Sequence, residues 1–315
     1  HAAPYLCPML IAMWFPAPPA PAFTPDQATT AALHPRYEDC MQDGRLTTLA
    51  IPPSLAATWS ARDARNPGAR RARATGLISL LTRLTVTSLD QPVRVNRPFE
   101  VAGGVQLAHD RDQAGAVSKL FMNVWTDIRG RPHLPRAAWE AHRASSPGEL
   151  VLAGQAFSEH TFTRPFAPPD QRRVVSLAGV EGFPEVPEAR YHQPAPASAA
   201  EAPEGASWID ELAPDPVDTM FTLDQTDANQ HVNSLIYVRL FLAAVQRRLA
   251  SGGHPARLRS KAFDIAYRKP SFVGERVRAH IRMFATGDHI GGAGFLAAAG
   301  EETRPRCYIR VLYGP

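Results

Sequence analysis

The reading of this chain turns on residues 223–253, LDQTDANQHVNSLIYVRLFLAAVQRRLASGG. Asp227, Asn229, His231 and Asn233 take alternate positions at its opening. An apolar run with almost no polar face follows from Leu235 to Val245, then Arg247, Arg248 and the pair Gly252 and Gly253. Short polar side chains ahead of an apolar run are helix caps, arginines suit the negative end of a helix dipole, and glycine ends helices. The segment therefore predicts a helix that is apolar on nearly all sides, and so buried. Just before it, residues 218–223 (DTMFTL) have the β-branched and aromatic content of a strand. Strand, polar loop and buried helix would deliver a carboxylate, a carboxamide and an imidazole to a helix N-terminus, where unpaired N–H groups favour a developing oxyanion. The residues alone leave two readings open. One is a reactive site; in the other, Asp227 or Asn229 is only an N-cap and His231 a satisfied first-turn histidine.

At 315 residues the chain has room for two ordinary domains, and its 44% hydrophobic content fits a globular core. A net charge of +4 lacks the dense basic stripes of a nucleic-acid binder but suits an acidic partner. Cys7, Cys40 and Cys307 are widely spaced and odd in number, with no CxxC or metal-ligand spacing. That predicts no metal centre and a reduced, cytoplasmic setting. Residues 5–15 are apolar but too short to span a bilayer, and predict a strand or a core-covering arm. No other segment could span a membrane. The grammar of α/β-type serine hydrolases (GxSxG) and of zinc proteases (HExxH) is absent.

Upstream, residues 37–49 predict a first strand interrupted by Gly44, and residues 51–59 a short helix opened by Pro52 and Pro53. Arg62, Arg65, Arg70, Arg71 and Arg73 follow and read as a solvated loop. Residues 80–88, 92–101, 105–108 and 117–126 are strand-like, with His109, Asp110 and Asp112 at a polar hairpin tip. A surface helix is expected over 132–146 and a strand over 149–162. The proline-rich residues 165–216 read as an extended linker. Downstream, residues 262–267 and 276–284 alternate as strands, Gly291 to Gly294 suggests a hairpin turn, and residues 307–312 close the sheet.

The run Asp227-Ala228-Asn229-Gln230-His231-Val232-Asn233, followed by a small residue, two apolar residues and Tyr237, resembles the signature of acyl-acyl-carrier-protein thioesterases. It looks like that family and the 4-hydroxybenzoyl-CoA thioesterase-like hotdog proteins, in which a long helix is wrapped by an antiparallel sheet. The resemblance is dense here and thins elsewhere. It implies an α+β double hotdog, with a degenerate first unit in residues 1–164, a linker over 165–216 and the motif-bearing unit in 217–315. It also implies hydrolysis of an acyl thioester on a phosphopantetheine arm (acyl carrier protein or coenzyme A) in fatty-acid or polyketide metabolism, without a cofactor. The chain would be a monomer, as an internal pseudo-dimer, or a homodimer. By resemblance Asp227 is the base or nucleophile, Asn229 orients water or the carbonyl, and His231 carries protons or donates; Asn233, Tyr237 and Ser271 would touch substrate. Plant-type members place a Glu-Cys pair after Tyr-Arg-Arg, whereas Tyr267-Arg268-Lys269 is followed here by Pro270 and Ser271. The combination of Lys269-Pro270 with Gly274-Glu275 looks instead like the general hotdog thioesterase pattern. Two alternatives stand beside hydrolysis: a hotdog dehydratase or hydratase acting on a 3-hydroxyacyl thioester, and a non-catalytic acyl-thioester binder.

Overall fold

A computed structural model describes residues 15, 17–65, 67–133 and 149–315. The arm expected at residues 5–15 lies outside the described residues except for Phe15, as does nearly all of the helix expected over 132–146. The chain forms two compact units.

The first unit is Ala17–Thr82 with Ser88–Gln193. Its elements are β1 (Ala28–Leu33), α1 (Pro53–Arg65), α2 (Pro67–Ala74), β2 (Ile78–Ser88), β3 (Phe99–Arg111), β4 (Val117–Gly130), β5 (Val151–Thr163) and β6 (Ala189–Arg190). The strands run in the order β1-β3-β4-β5-β2, and β6 adds to β3 in parallel. α1 lies on β1, β3, β4 and β5. It is anchored by a shared hydrogen bond of 2.8 Å between the Ser54 and Thr126 hydroxyls.

Several expectations need correction here. Residues 37–49 form no strand: Tyr37–Asp39 is a 3-10 turn and Cys40 meets Leu46 in a single bridge. The arginine run is helical rather than loop, because its cations are spent locally. Arg73 pairs with Asp63 at 2.6 Å and lies 4.2 Å over the Trp59 ring, while Arg65 donates to the Ala28 carbonyl. Of the run 92–101 only residues 99–101 are strand, after a single Val93 bridge to Pro132 and a turn at 95–97; they join 105–108 in β3, because Gly103 and Gly104 continue the strand where sequence suggests a break. His109 lies within β3 and is buried against the Pro187 carbonyl, 2.7 Å away. Asp112 does form the hairpin tip, accepting from the Ala114 and Ala116 amides at 3.0 Å. The proline-rich stretch is packed rather than free: the Tyr191 phenol donates to buried Glu159 at 2.8 Å.

The second unit is Pro194–Pro315 with Arg83–Thr87, and Phe15 belongs to it. It holds β7 (Ser207–Trp208), β8 (Ala213–Met220), α3 (Ser234–Ser251), β9 (Arg259–Tyr267), β10 (Arg276–Thr286), β11 (His289–Ala297) and β12 (Cys307–Gly314). The order is β9-β12-β11-β10, with β7 and β8 on the outer edge of β10 and Arg83–Thr87 beside β9. Pro214 and Pro216 sit in edge strand β8, where a missing N–H is least costly to the ladder.

β10 alternates as expected, burying Val277, Ala279, Ile281 and Met283. β9 does not: residues 261–266 are all buried, since the sheet is covered on both faces at this strand. On one face lies α3. On the other, Phe15 packs with Ala262, Phe284, Ala293 and Leu312, and Asp264 is buried between Arg83 (2.6 Å) and Arg310 (3.1 Å). The glycines 291–294 are not a turn. They lie in the middle of β11, where a Cβ on Gly292 would stand 2.7 Å from Val245 Cγ2 of α3, so the missing side chain lets helix and sheet close up. The actual hairpin turn is Gly287 with Asp288, Gly287 taking φ +57°.

Candidate active site

α3 begins one residue after the polar run, at Ser234. Its cap is Asn233, whose Oδ1 accepts from the Leu235 amide at 3.0 Å, a role the sequence left to Asp227 or Asn229. The helix buries one broad stripe (Tyr237, Val238, Phe241, Leu242, Ala244, Val245, Leu249) and exposes Arg239 and Gln246. Burial on nearly all sides is therefore corrected to burial on one side. Arg247 and Arg248 explain much of the difference: they hold Asp215 (2.7 Å) and Asp210 (2.8 Å) against the helix flank. The expected strand at 218–223 is also displaced; β8 ends at Met220, and Leu223–Gln225 is a 3-10 turn.

Between that turn and α3 the chain closes on itself. Thr226 bridges Val232, the Asp227 amide donates to the His231 carbonyl at 2.9 Å, and the Gln230 amide donates to the Asp227 carbonyl at 2.9 Å. The Asp227 Oδ1 accepts from the Asn229 amide at 2.8 Å, the side-chain turn that aspartate favours. Gln230 sits at φ +64°, the sole non-glycine with positive φ among the described residues. Such strain costs about 1–2 kcal/mol and gathers where a fold places function. The backbone thus sets Asp227 opposite His231 across a tight turn, with exposed Asn229 at its tip.

A second segment, residues 271–275, supports this turn. The Val232 amide donates to the Ser271 carbonyl at 2.9 Å. The Ser271 amide donates to the Tyr237 phenol at 2.8 Å, and the Phe272 ring meets the His231 ring edge-on, 5.1 Å between centroids. Tyr237 and Ser271, expected to touch substrate, thus join each other, and both are buried. Burial raises the Tyr237 phenol above its usual range, with the Ser271 hydrogen bonds opposing. The Ser271 hydroxyl is itself buried without a hydrogen bond among the described residues.

Cys307 lies in the core near both Tyr237 and Tyr267. Burial pushes its thiol up to about 12, so it is held as the protonated, unreactive form. Arg306, next to it, went unnoticed in sequence because a lone arginine at a strand start has no pattern. It is 4% exposed and its guanidinium stands 3.2 Å from Glu275 and 3.4 Å from Glu301.

A helix laid on an antiparallel sheet, once in each of two tandem units, is the double hotdog. Over 91% of its length the chain is similar in structure to an acyl-ACP thioesterase from Bacteroides thetaiotaomicron, covering 97% of that chain at 15% identity with a TM-score of 0.60. It is also similar to a 12:0-ACP thioesterase from Umbellularia californica, covering 94% of that chain at 13% identity with a TM-score of 0.59. No family model and no curated protein matches the amino-acid sequence. At these identities the common property is the fold.

Proposed function

We propose that the chain hydrolyses an acyl thioester carried on a phosphopantetheine arm. The observation that carries this reading is the closed turn 227–231, which presents Asp227 and His231 together beside the N-terminus of the long helix. The whole-chain likeness to two thioesterases supports it.

In this proposal the Asp227 carboxylate, with one oxygen occupied by the Asn229 amide, uses the other to take a proton from water. The water oxygen bonds to the thioester carbon, and collapse of the tetrahedral adduct breaks the C–S bond. His231 relays the proton from Asp227 to the departing thiolate, and the exposed Asn229 side-chain carboxamide orients the water or the carbonyl. The positive end of α3 favours the oxyanion. Asn233, Tyr237 and Ser271 hold the loop and helix start together next to the acyl group. An acyl carrier protein is the favoured donor, since the two solved relatives are named for it, and a net charge of +4 suits an acidic carrier. Fatty-acid or polyketide synthesis in the cytoplasm is the matching setting. Among the described residues no helix is long and apolar enough to cross a membrane.

The test is free-thiol release from matched acyl-carrier-protein and coenzyme A thioesters of graded chain length. Release from the carrier-protein series supports the proposal. No release from any thioester, with mass loss of water from a 3-hydroxyacyl thioester, would replace it with dehydration.

A further inference from the structure

We propose that Glu275 and Arg306 are positioning residues, which fix the turn 227–231 from behind through the segment 271–275. This rests on the thioesterase reading only for its kinetic consequence.

Four contacts join that segment to the region of the turn. Val232 donates to Ser271, and Phe272 packs on His231. The Gly274 amide donates to the Phe221 carbonyl and the Phe221 amide to the Glu275 carbonyl, each at 2.9 Å. The segment also bonds to α3 through Tyr237. The placement of His231 therefore follows that of Phe272, and the entry to the turn follows Glu275.

Beyond those hydrogen bonds, charge holds the segment. Phe272 and Val273 are 45% and 51% exposed, so apolar burial does little for them. The Glu275 carboxylate instead reaches buried Arg306 at 3.2 Å, at ion-pair distance but outside hydrogen-bond geometry. Arg306 also meets Glu301 at 3.4 Å, and Glu301 meets Lys269 at 3.1 Å. Two cations and two carboxylates make this network neutral. The Arg306 carbonyl accepts from the Arg268 and Lys269 amides at 2.9 and 3.2 Å, which fixes its backbone. Its Nε and one terminal nitrogen are buried without acceptors among the described residues, so the two carboxylates answer its charge. A buried cation so dependent on its carboxylates holds them in place strongly, and loss of one is felt where that carboxylate is anchored.

The experiment compares wild type with Glu275→Gln, Glu275→Asp and the control Arg276→Gln, which breaks an exposed pair with Asp218 of the neighbouring strand β8. Two readouts are taken: amide hydrogen exchange of residues 227–233, and kcat and KM for thiol release. Glu275→Gln is expected to speed exchange in 227–233 and to lower kcat about tenfold to a hundredfold with KM nearly unchanged, as loss of alignment does. Glu275→Asp, which keeps the charge, is expected to recover part of both, and Arg276→Gln to alter neither. Unchanged exchange and kcat in Glu275→Gln would overturn the inference. So would equal loss in Arg276→Gln. If wild type cleaves no thioester the proposed function fails, while the exchange comparison still decides this inference.

Discussion

Replacing Asp227 with asparagine separates the chemistry of the carboxylate from its part in the fold. In the turn, Asp227 Oδ1 accepts one hydrogen bond, 2.8 Å from the Asn229 amide. Asparagine offers an oxygen in the same place, so the turn keeps that bond and loses only its charge assistance. Neutral hydrogen bonds contribute about 1 kcal/mol and charged ones about 1.5–3 kcal/mol. Asp227 is half-buried rather than enclosed, so the change in stability should be on the order of 0.5 kcal/mol. For a chain of this length that moves Tm by about 1 °C. The proton-accepting oxygen, by contrast, is gone, and loss of a positioned general base costs about 10²–10⁴ in rate. The assay is thiol release under kcat/KM conditions beside thermal melting of the same preparations. Near-normal melting with a rate down by at least a hundredfold supports the reasoning. A variant within threefold of wild type would refute it, and would leave Asp227 as a turn residue alone. Asp227→Ala is the poorer probe, since it also removes the acceptor that shapes the turn.

Asp264→Ala should cost about 3–5 kcal/mol, because it leaves the buried Arg83 and Arg310 facing each other without their shared anion; a loss under 1 kcal/mol in urea unfolding would contradict the network as drawn. In a Cys7→Ser, Cys40→Ser background, Cys307 should resist a disulfide reagent in the native state and react at once when unfolded. With its thiol pushed up to about 12, the thiolate fraction at pH 8 is about 10⁻⁴. Burial holds the His160 imidazole down at about 4, against about 6.5 in an unfolded chain. The folded state therefore resists protonation: stability from this residue is complete above pH 6.5 and falls as the pH drops from 6.5 towards 4, by at most about 1.4 kcal/mol per unit. His160→Gln should flatten that stretch of the urea midpoint against pH.

The central helix, its glycine stop and the polar turn before it were legible because each rests on local rules of capping and periodicity. So was β10, whose alternation records one covered and one wet face. The failures share a different cause: the deciding contact was distant in sequence. Nothing local shows that Gly291 to Gly294 is a strand. Their missing side chains are required by Phe284 across the ladder and Val245 on the helix. The arginines after Trp59 look like a solvated loop until Asp63 and the indole are seen to take up Arg73. Asn233 could not be told from Asp227 as the cap, since both precede the apolar run and differ only in where the turn closes. The turn closes at Gln230, in a left-handed conformation that no residue type there announces.

The two helix starts explain why the chemistry is assigned to one of them. α1 opens with Pro53, which has no amide to offer, and Ser54, whose hydroxyl donates to the Ile51 carbonyl at 2.7 Å and is shared with Thr126. Every polar group there is used for packing, and none is an acid. At α3 the cap is discharged by Asn233, which leaves Asp227 and His231 outside the helix on a turn of their own. Displacing the groups proposed as reactive from the cap by several residues lets one unit satisfy its helix and still present a half-exposed carboxylate. A functional site needs that separation, because a carboxylate consumed in capping has its lone pairs and its charge already committed to the helix. The supporting segment 271–275 and the buried Arg306 behind it complete the arrangement: the turn has little core of its own, and its order is imposed from the strand ends that flank it.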